Sequence, residues 1–205
     1  MILVDDRPYG QPCPPEKTVR DLARESCEPG AGQGRRMVVA IYCDGQAVAD
    51  EALETVLDSP ASSFEQLELQ TQPVAGLVRT TLEQAAGLVD DAAGVRHAAA
   101  DLLDRGSNAE AMGELQKLLE IWRQLQASLV FSAEALGLDL DSLEVGGNRL
   151  PELVELMKAN LADLREAMRN QDAVLIGDLL RYEMEEVFNR WASLLAGLKS
   201  SARAL

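Results

Sequence analysis

From Val74 onward one pattern repeats: apolar residues recur every three or four positions through four long stretches broken only by short polar segments. That spacing lays apolar side chains along one stripe of an α-helix. The first stretch, about Val74 to Arg105, carries Val74, Leu77, Val78, Leu82, Ala85, Val89, Ala92 and Leu103. Gly106-Ser107-Asn108 ends it and offers an N-cap for the second, about Ala109 to Leu136, with Met112, Leu115, Leu119, Trp122, Leu125 and Leu129. A longer loop, Gly137 to Arg149, separates these from a third stretch, about Leu150 to Asn170, which opens on Pro151 in its first turn. The fourth spans roughly Asp172 to Leu198, with Ile176, Leu180, Met184, Val187, Phe188, Trp191, Leu195 and Leu198. None is apolar all round, so each must bury its stripe against the others. Short connections make the first pair and the last pair antiparallel. The economical solution is an up-and-down four-helix bundle over 73–205.

Before Thr71-Gln72-Pro73 the grammar differs: prolines, glycines and short apolar runs alternate. Met1 to Val4 reads as a strand, Asp5-Asp6-Arg7-Pro8 as a turn, and Tyr9 as the start of a return strand. Glu16 to Cys27 reads as a helix behind Pro14 and Pro15. Met37 to Cys43 is a central strand, and Asp44-Gly45 a tight hairpin into Gln46-Ala47-Val48. A short helix at Glu51–Leu57 and a last strand at Phe64–Thr71 complete the segment. The fold class expected is α+β, with a domain over 1–71 ahead of the bundle.

Charge and composition exclude several functions. Of 205 residues, 19 are Lys or Arg and 34 Asp or Glu, a net charge of −15. The deficit is shared, with 6 basic and 13 acidic residues in 1–70 and 13 and 21 in 71–205, so neither part hides a basic domain. A polyanion of this kind repels nucleic-acid phosphates and anionic lipid. No apolar run approaches the roughly 20 residues of a membrane span. Acids stand at positions 5 and 6, where a signal peptide carries a basic head, so a cytoplasmic protein is expected.

The chemistry-bearing residues are sparse. Cys13, Cys27 and Cys43 are odd in number and lack CxxC spacing, against both a disulfide framework and zinc. His97 is the single histidine and lies in the helical stretch Val95-Arg96-His97-Ala98-Ala99-Ala100, with no nucleophile motif beside it. Di-iron carboxylate bundles need two Glu-x-x-His helices and are excluded. Gly30-Ala31-Gly32-Gln33-Gly34 follows a helix and precedes a strand, the reverse of a phosphate loop, and lacks the Gly-Lys-Ser/Thr ending. It reads as a connector.

Two resemblances attach to these segments. Ile2-Leu3-Val4-Asp5-Asp6-Arg7-Pro8, Thr18-Val19-Arg20-Asp21-Leu22 and Val38-Val39-Ala40-Ile41-Tyr42-Cys43-Asp44-Gly45-Gln46-Ala47-Val48 resemble ubiquitin-like β-grasp domains, especially the bacterial sulfur carriers of thiamine and molybdopterin synthesis. Those carriers act through a C-terminal Gly-Gly. Here the only Gly-Gly, Gly146-Gly147, is internal, so sulfur carriage is not expected. The helical part is similar to the flagellin export chaperones, through Leu103-Asp104-Arg105-Gly106, Leu161-Ala162-Asp163-Leu164-Arg165-Glu166-Ala167, the turn Asn170-Gln171-Asp172 and a last helix ending near Trp191. No functional residue is carried over from either.

The function expected is non-enzymatic: an interaction or adaptor protein, chaperone-like, whose partner is another protein or a second copy of itself, with no cofactor or metal. The alternative is a small-molecule binder or enzyme with its pocket in the bundle or at the domain junction. Candidate pocket or interaction residues are Trp122 and Trp191 on the apolar stripes of the second and fourth stretches, Met157, and the pair Tyr182 and Glu183, where a carboxylate turned inward would meet a tyrosine hydroxyl.

Overall fold

A computed structural model describes residues 1–10, 13–28 and 34–202. The protein is α+β and divides into two units, Met1–Leu77 and Val78–Leu205. The glycine connector at 30–33 lies outside the described residues.

The first unit holds a five-stranded mixed sheet of order β2-β1-β5-β3-β4: β1 (Ile2–Val4), β2 (Arg7–Pro8), β3 (Arg36–Cys43), β4 (Gln46–Ala47) and β5 (Leu67–Pro73). β1 runs parallel to β5, pairing Ile2 with Leu67 and Val4 with Leu69, and β3 runs antiparallel to β5 with a bulge between Val38 and Ala40. The return strand begins at Arg7 rather than Tyr9. Asp5 and Asp6 take left-handed backbone (φ 50° and 63°) and close the reversal in two residues. Asp44 (φ 52°) and Gly45 (φ 80°) make the second reversal as expected.

Helix α1 covers Val19–Cys27 and not the longer Glu16–Cys27. Its start is set by Thr18, whose hydroxyl accepts from the Asp21 N–H while the Asp21 carboxylate accepts from the Thr18 N–H. This capping box satisfies two otherwise orphaned donors. Val19 and Leu22 then bury against Ile41, Leu67 and Leu69, with Ala61 closing the core. Helix α2 (Asp50–Asp58) is tied to α1 by Arg20, which donates to Asp58 and Glu54. Phe64 packs on this core but precedes β5.

Asp5 locks the sheet. Its carboxylate accepts from the Thr71 N–H (2.7 Å), the Thr71 hydroxyl (2.8 Å) and Arg36 Nη2 (2.9 Å), joining the β1–β2 turn to β5 and β3. Desolvation pushes the Asp5 carboxyl up, but these donors outweigh it and hold the group below the usual carboxylate range.

The second unit is helical, apart from a two-stranded hairpin. Helix α3 (Val74–Asp104) begins before the unit boundary and runs unbroken past Gly87 and Gly94. Gly106 (φ 76°) turns the chain, its N–H reaching the Leu103 carbonyl, and α4 (Asn108–Leu136) follows. Ser107 is the N-cap of α4 by position, without a side-chain bond. Within the expected loop lie a 3-10 turn (Leu140–Ser142) and the hairpin β6 (Glu144–Val145) and β7 (Asn148–Arg149), turned by Gly146 and Gly147. The internal Gly-Gly is thus a hairpin turn, both residues being at positive φ. Helix α5 (Leu150–Arg169) comes next.

The last stretch is not one α-helix. It is α6 (Ala173–Asp178), a π turn (Leu179–Glu183) and α7 (Met184–Ala202). The cause is legible in the spacing. Ile176, Leu180, Met184 and Phe188 are all buried and lie four residues apart, a period that outruns 3.6 residues per turn. One wide turn, in which Met184 N–H reaches the Leu179 carbonyl, absorbs the excess. Helix α3 runs antiparallel to this last rod: Glu83 pairs with Lys199 of α7, and Asp101 and Asp104 with Arg181 of the π turn.

Two stability predictions follow from this geometry. Asp5→Asn keeps a residue tolerant of positive φ but removes the charge, and costs about 1 kcal/mol at neutral pH, given the partial exposure of the site. Because the folded carboxyl titrates below its unfolded value near 4, that stability is complete above about pH 5 and is lost as pH falls through the lower folded value. Wild type and variant unfolding midpoints therefore converge in acid. Separately, a Cβ on Gly197 of α7 would lie 2.0 Å from Val145 Cγ1, whereas Gly87 and Gly94 face open space. Gly197→Ala destabilises by about 1 kcal/mol or more despite alanine's helix preference, while Gly87→Ala and Gly94→Ala each gain about 0.5–1 kcal/mol, measured by urea unfolding.

Candidate functional site

The aromatic core of the helical unit organises everything near it. The Trp122 ring of α4 meets Trp191 of α7 edge to face at 4.5 Å between centroids, and Phe188 at 6.2 Å. Both indoles are buried on the stripes that the sequence assigned to them. The Trp191 Nε1 has no acceptor among the described residues.

Arg96 enters this core from α3. Only 3% of it is exposed, its guanidinium lies 5.8 Å from the Phe188 ring centre, and Nη1 donates to the Leu180 carbonyl in the π turn at 2.7 Å. Burial lowers its affinity for the proton, and the nearby Glu185 charge opposes that shift. Its Nε is unpaired. The residue sits on the series Ala85, Val89, Ala92, Arg96, Ala99 and Leu103, where a stripe of small residues leaves volume for one long side chain. This clamp was not found from sequence. An arginine at a stripe position of an alanine-rich helix was the available signal.

Above Trp191 the surface opens into a groove of about 350 Å³. Leu129 and Val130 of α4 form one wall, Leu150, Pro151 and Val154 of α5 the other, and Leu140 of the 3-10 turn closes an end. Val130 is 39% exposed, so the groove presents apolar surface to solvent. Its polar margin is Gln126, Asp141 and Glu155. The hairpin seated on Gly197 belongs to the same inter-helix segment, 137–149, that supplies Leu140 and Asp141. A second depression, of about 390 Å³, lies at the other end of α4 and α5 between Leu103, Met112, Met168 and Ile176.

Of the five candidate residues, Trp191 alone lines the main groove, with Trp122 packed against it. Met157 is 1% exposed and is core, not lining. Tyr182 and Glu183 do not form the expected inward pair. The π turn carries both to the surface, with Tyr182 67% exposed over a shallow depression beside Glu185, Glu186 and Arg190. Tyr182, two residues from both buried Leu180 and Met184, stands opposite the stripe, and the π turn leaves Glu183 outside it as well. Asn160, not among the expected site residues, is buried, its Nδ2 donating to the Leu156 carbonyl and its Oδ1 without a partner among the described residues.

The reactive side chains stand apart. His97 is exposed, with Nδ1 2.7 Å from the Ala93 carbonyl oxygen. The three cysteines are free and half-buried, and burial pushes the Cys43 thiol up. Among the described residues no group of three or more His, Cys, Asp or Glu is placed to hold a metal ion, and no helix is long and apolar enough to cross a membrane.

The helices that build this groove coincide with a conserved-domain model. The chain belongs to the family described as a domain of unknown function, DUF8042, matched over residues 80–194. That span contains α4, α5, the π turn, Trp122 and Trp191. No curated protein and no solved structure matches the chain.

The buried guanidinium yields a direct test. Arg96→Ala removes the bond to the Leu180 carbonyl and leaves a cavity, and destabilises by about 2–4 kcal/mol. Arg96→Met fills the space but also removes the bond, and costs about 1–2 kcal/mol, less than alanine, because relief of the buried charge offsets part of the loss. Urea midpoints of the two variants measure the difference.

Proposed function

We propose that this protein is a non-enzymatic adaptor: a β-grasp unit followed by an up-and-down four-helix bundle, with the bundle groove over Trp191 receiving part of another protein. The sheet order β2-β1-β5-β3-β4, with its parallel β1–β5 pair and α1 packed on one face, supports the β-grasp reading. The antiparallel pairing of α3 with α7 supports the bundle, counting α6, the π turn and α7 as its fourth rod. In this reading the bundle works as the export chaperones it resembles do, by covering apolar surface of a second protein.

The observation that carries the proposal is the groove itself, with Val130, Leu140 and Val154 lining an opening at the surface above a buried indole pair. Apolar surface left open on a water-exposed face is a mark of a recognition site. A groove of this volume also lies within the range of small-ligand pockets, so a small apolar molecule is the competing occupant.

The test uses the full chain, immobilised beside its Val130→Asp/Val154→Asp variant, with lysate of the source cells passed over both. Val130 is exposed and Val154 half-buried, so the variant's far-ultraviolet circular dichroism is expected to match wild type. One dominant protein retained by wild type and lost from the variant is the expected result. Equal retention by both, or a thermal shift from small apolar metabolites with no protein retained, overturns the adaptor reading.

A further inference from the structure

Resting on the protein-binding reading of the groove, we infer that its occupant is a short amphipathic segment of a partner protein whose apolar anchors are flanked by lysine or arginine. Residues 134–155, which span the end of α4, the hairpin and the start of α5, carry six acids (Glu134, Asp139, Asp141, Glu144, Glu152 and Glu155) against one base, Arg149. Arg149 is already engaged by Glu152 at 3.2 Å and Glu144 at 4.0 Å, and Glu155 is paired with Lys158 at 2.8 Å. Glu134 and Asp141 have no ion-pair partner among the described residues, and both are exposed. Asp141 stands on the groove margin itself.

Apolar walls with an unmet negative margin define the complement. Aliphatic side chains fill the trough, and cations beside them meet Asp141 on the margin and Glu134, one helical turn beyond Val130 on α4. Rim charges of this sort act over about a Debye length and set encounter rate and salt dependence more than packing does. The same charge distribution weighs against the other occupants. A second copy of this chain, itself at −15, brings acid to acid, and anionic lipid or nucleic acid is repelled. The depression at the opposite end lacks this signature, because no charged side chain lines it.

Three labelled peptides of about twelve residues test the assignment by fluorescence anisotropy with the full chain. All share leucines at i, i+3, i+4 and i+7 and differ in the remaining positions, which are Lys, Gln or Glu. The Lys peptide is expected to bind about tenfold or more tighter than the Gln peptide, and the Glu peptide not at all. Its dissociation constant rises about tenfold between about 0.05 and about 0.3 M salt, and by a similar factor in Glu134→Gln/Asp141→Asn. Val130→Asp abolishes binding. Equal binding of the Lys and Gln peptides, binding of the Lys peptide to Val130→Asp undiminished, no binding by any peptide, or a dimer that Val130→Asp dissociates each overturns the inference. If the lysate partner is lost from the groove variant while peptide affinity ignores charge and salt, the adaptor reading stands and only the basic-segment assignment fails.

Discussion

The helical unit depends on a mismatch of periods. The last rod asks for buried side chains every four residues from Ile176 to Phe188, and an α-helix supplies one face every 3.6. The π turn at Leu179–Glu183 resolves the conflict, and Arg96 secures it by donating to the Leu180 carbonyl from the neighbouring helix. The arginine is held in turn by the face of Phe188, and Phe188 by Trp122, so one backbone irregularity is bound through three side chains to the aromatic core.

A polar group in an apolar interior demands a reason, and here the reason is geometric. A guanidinium spans the space that alanines at 92 and 99 leave open, reaching a main-chain oxygen that no alanine or leucine side chain could bond. Desolvation of the charge offsets most of the benefit of the bond. What the arrangement gives is definition: α3 holds the π turn at its main chain through Arg96 and at its surface through the pairing of Arg181 with Asp101 and Asp104.

Much of the architecture is legible in the residues, and the failures are physical. Helices α3, α4 and α5 end within a residue or two of their expected limits because long amphipathic stripes, Gly106 and Gly137 mark them. The Asp44-Gly45 reversal is likewise written in its residue types. The start of α1 was misplaced because two prolines look like a helix entry, while a Thr18–Asp21 capping box three residues later satisfies the backbone better. Glu183 is expected inward because a helical wheel assumes a constant turn, and the π turn breaks that assumption between Leu180 and Met184. Of the groove, Trp191 is legible and the walls are not, for another reason. Its walls come from the end of α4, a 3-10 turn and the start of α5, and no periodic pattern spans a floor contributed by Trp191 some forty residues later.

Both tryptophans of the chain, Trp122 and Trp191, belong to the helical unit, and the first unit holds only Tyr9 and Tyr42 as its phenols. The protein's own ultraviolet emission is therefore a one-sided instrument. It follows the packing of α4 against α7, where two perpendicular indoles sit 4.5 Å apart, and says nothing about the sheet. A melting curve read at indole wavelengths is the curve of one unit. The other must be followed through its backbone signal or its tyrosines.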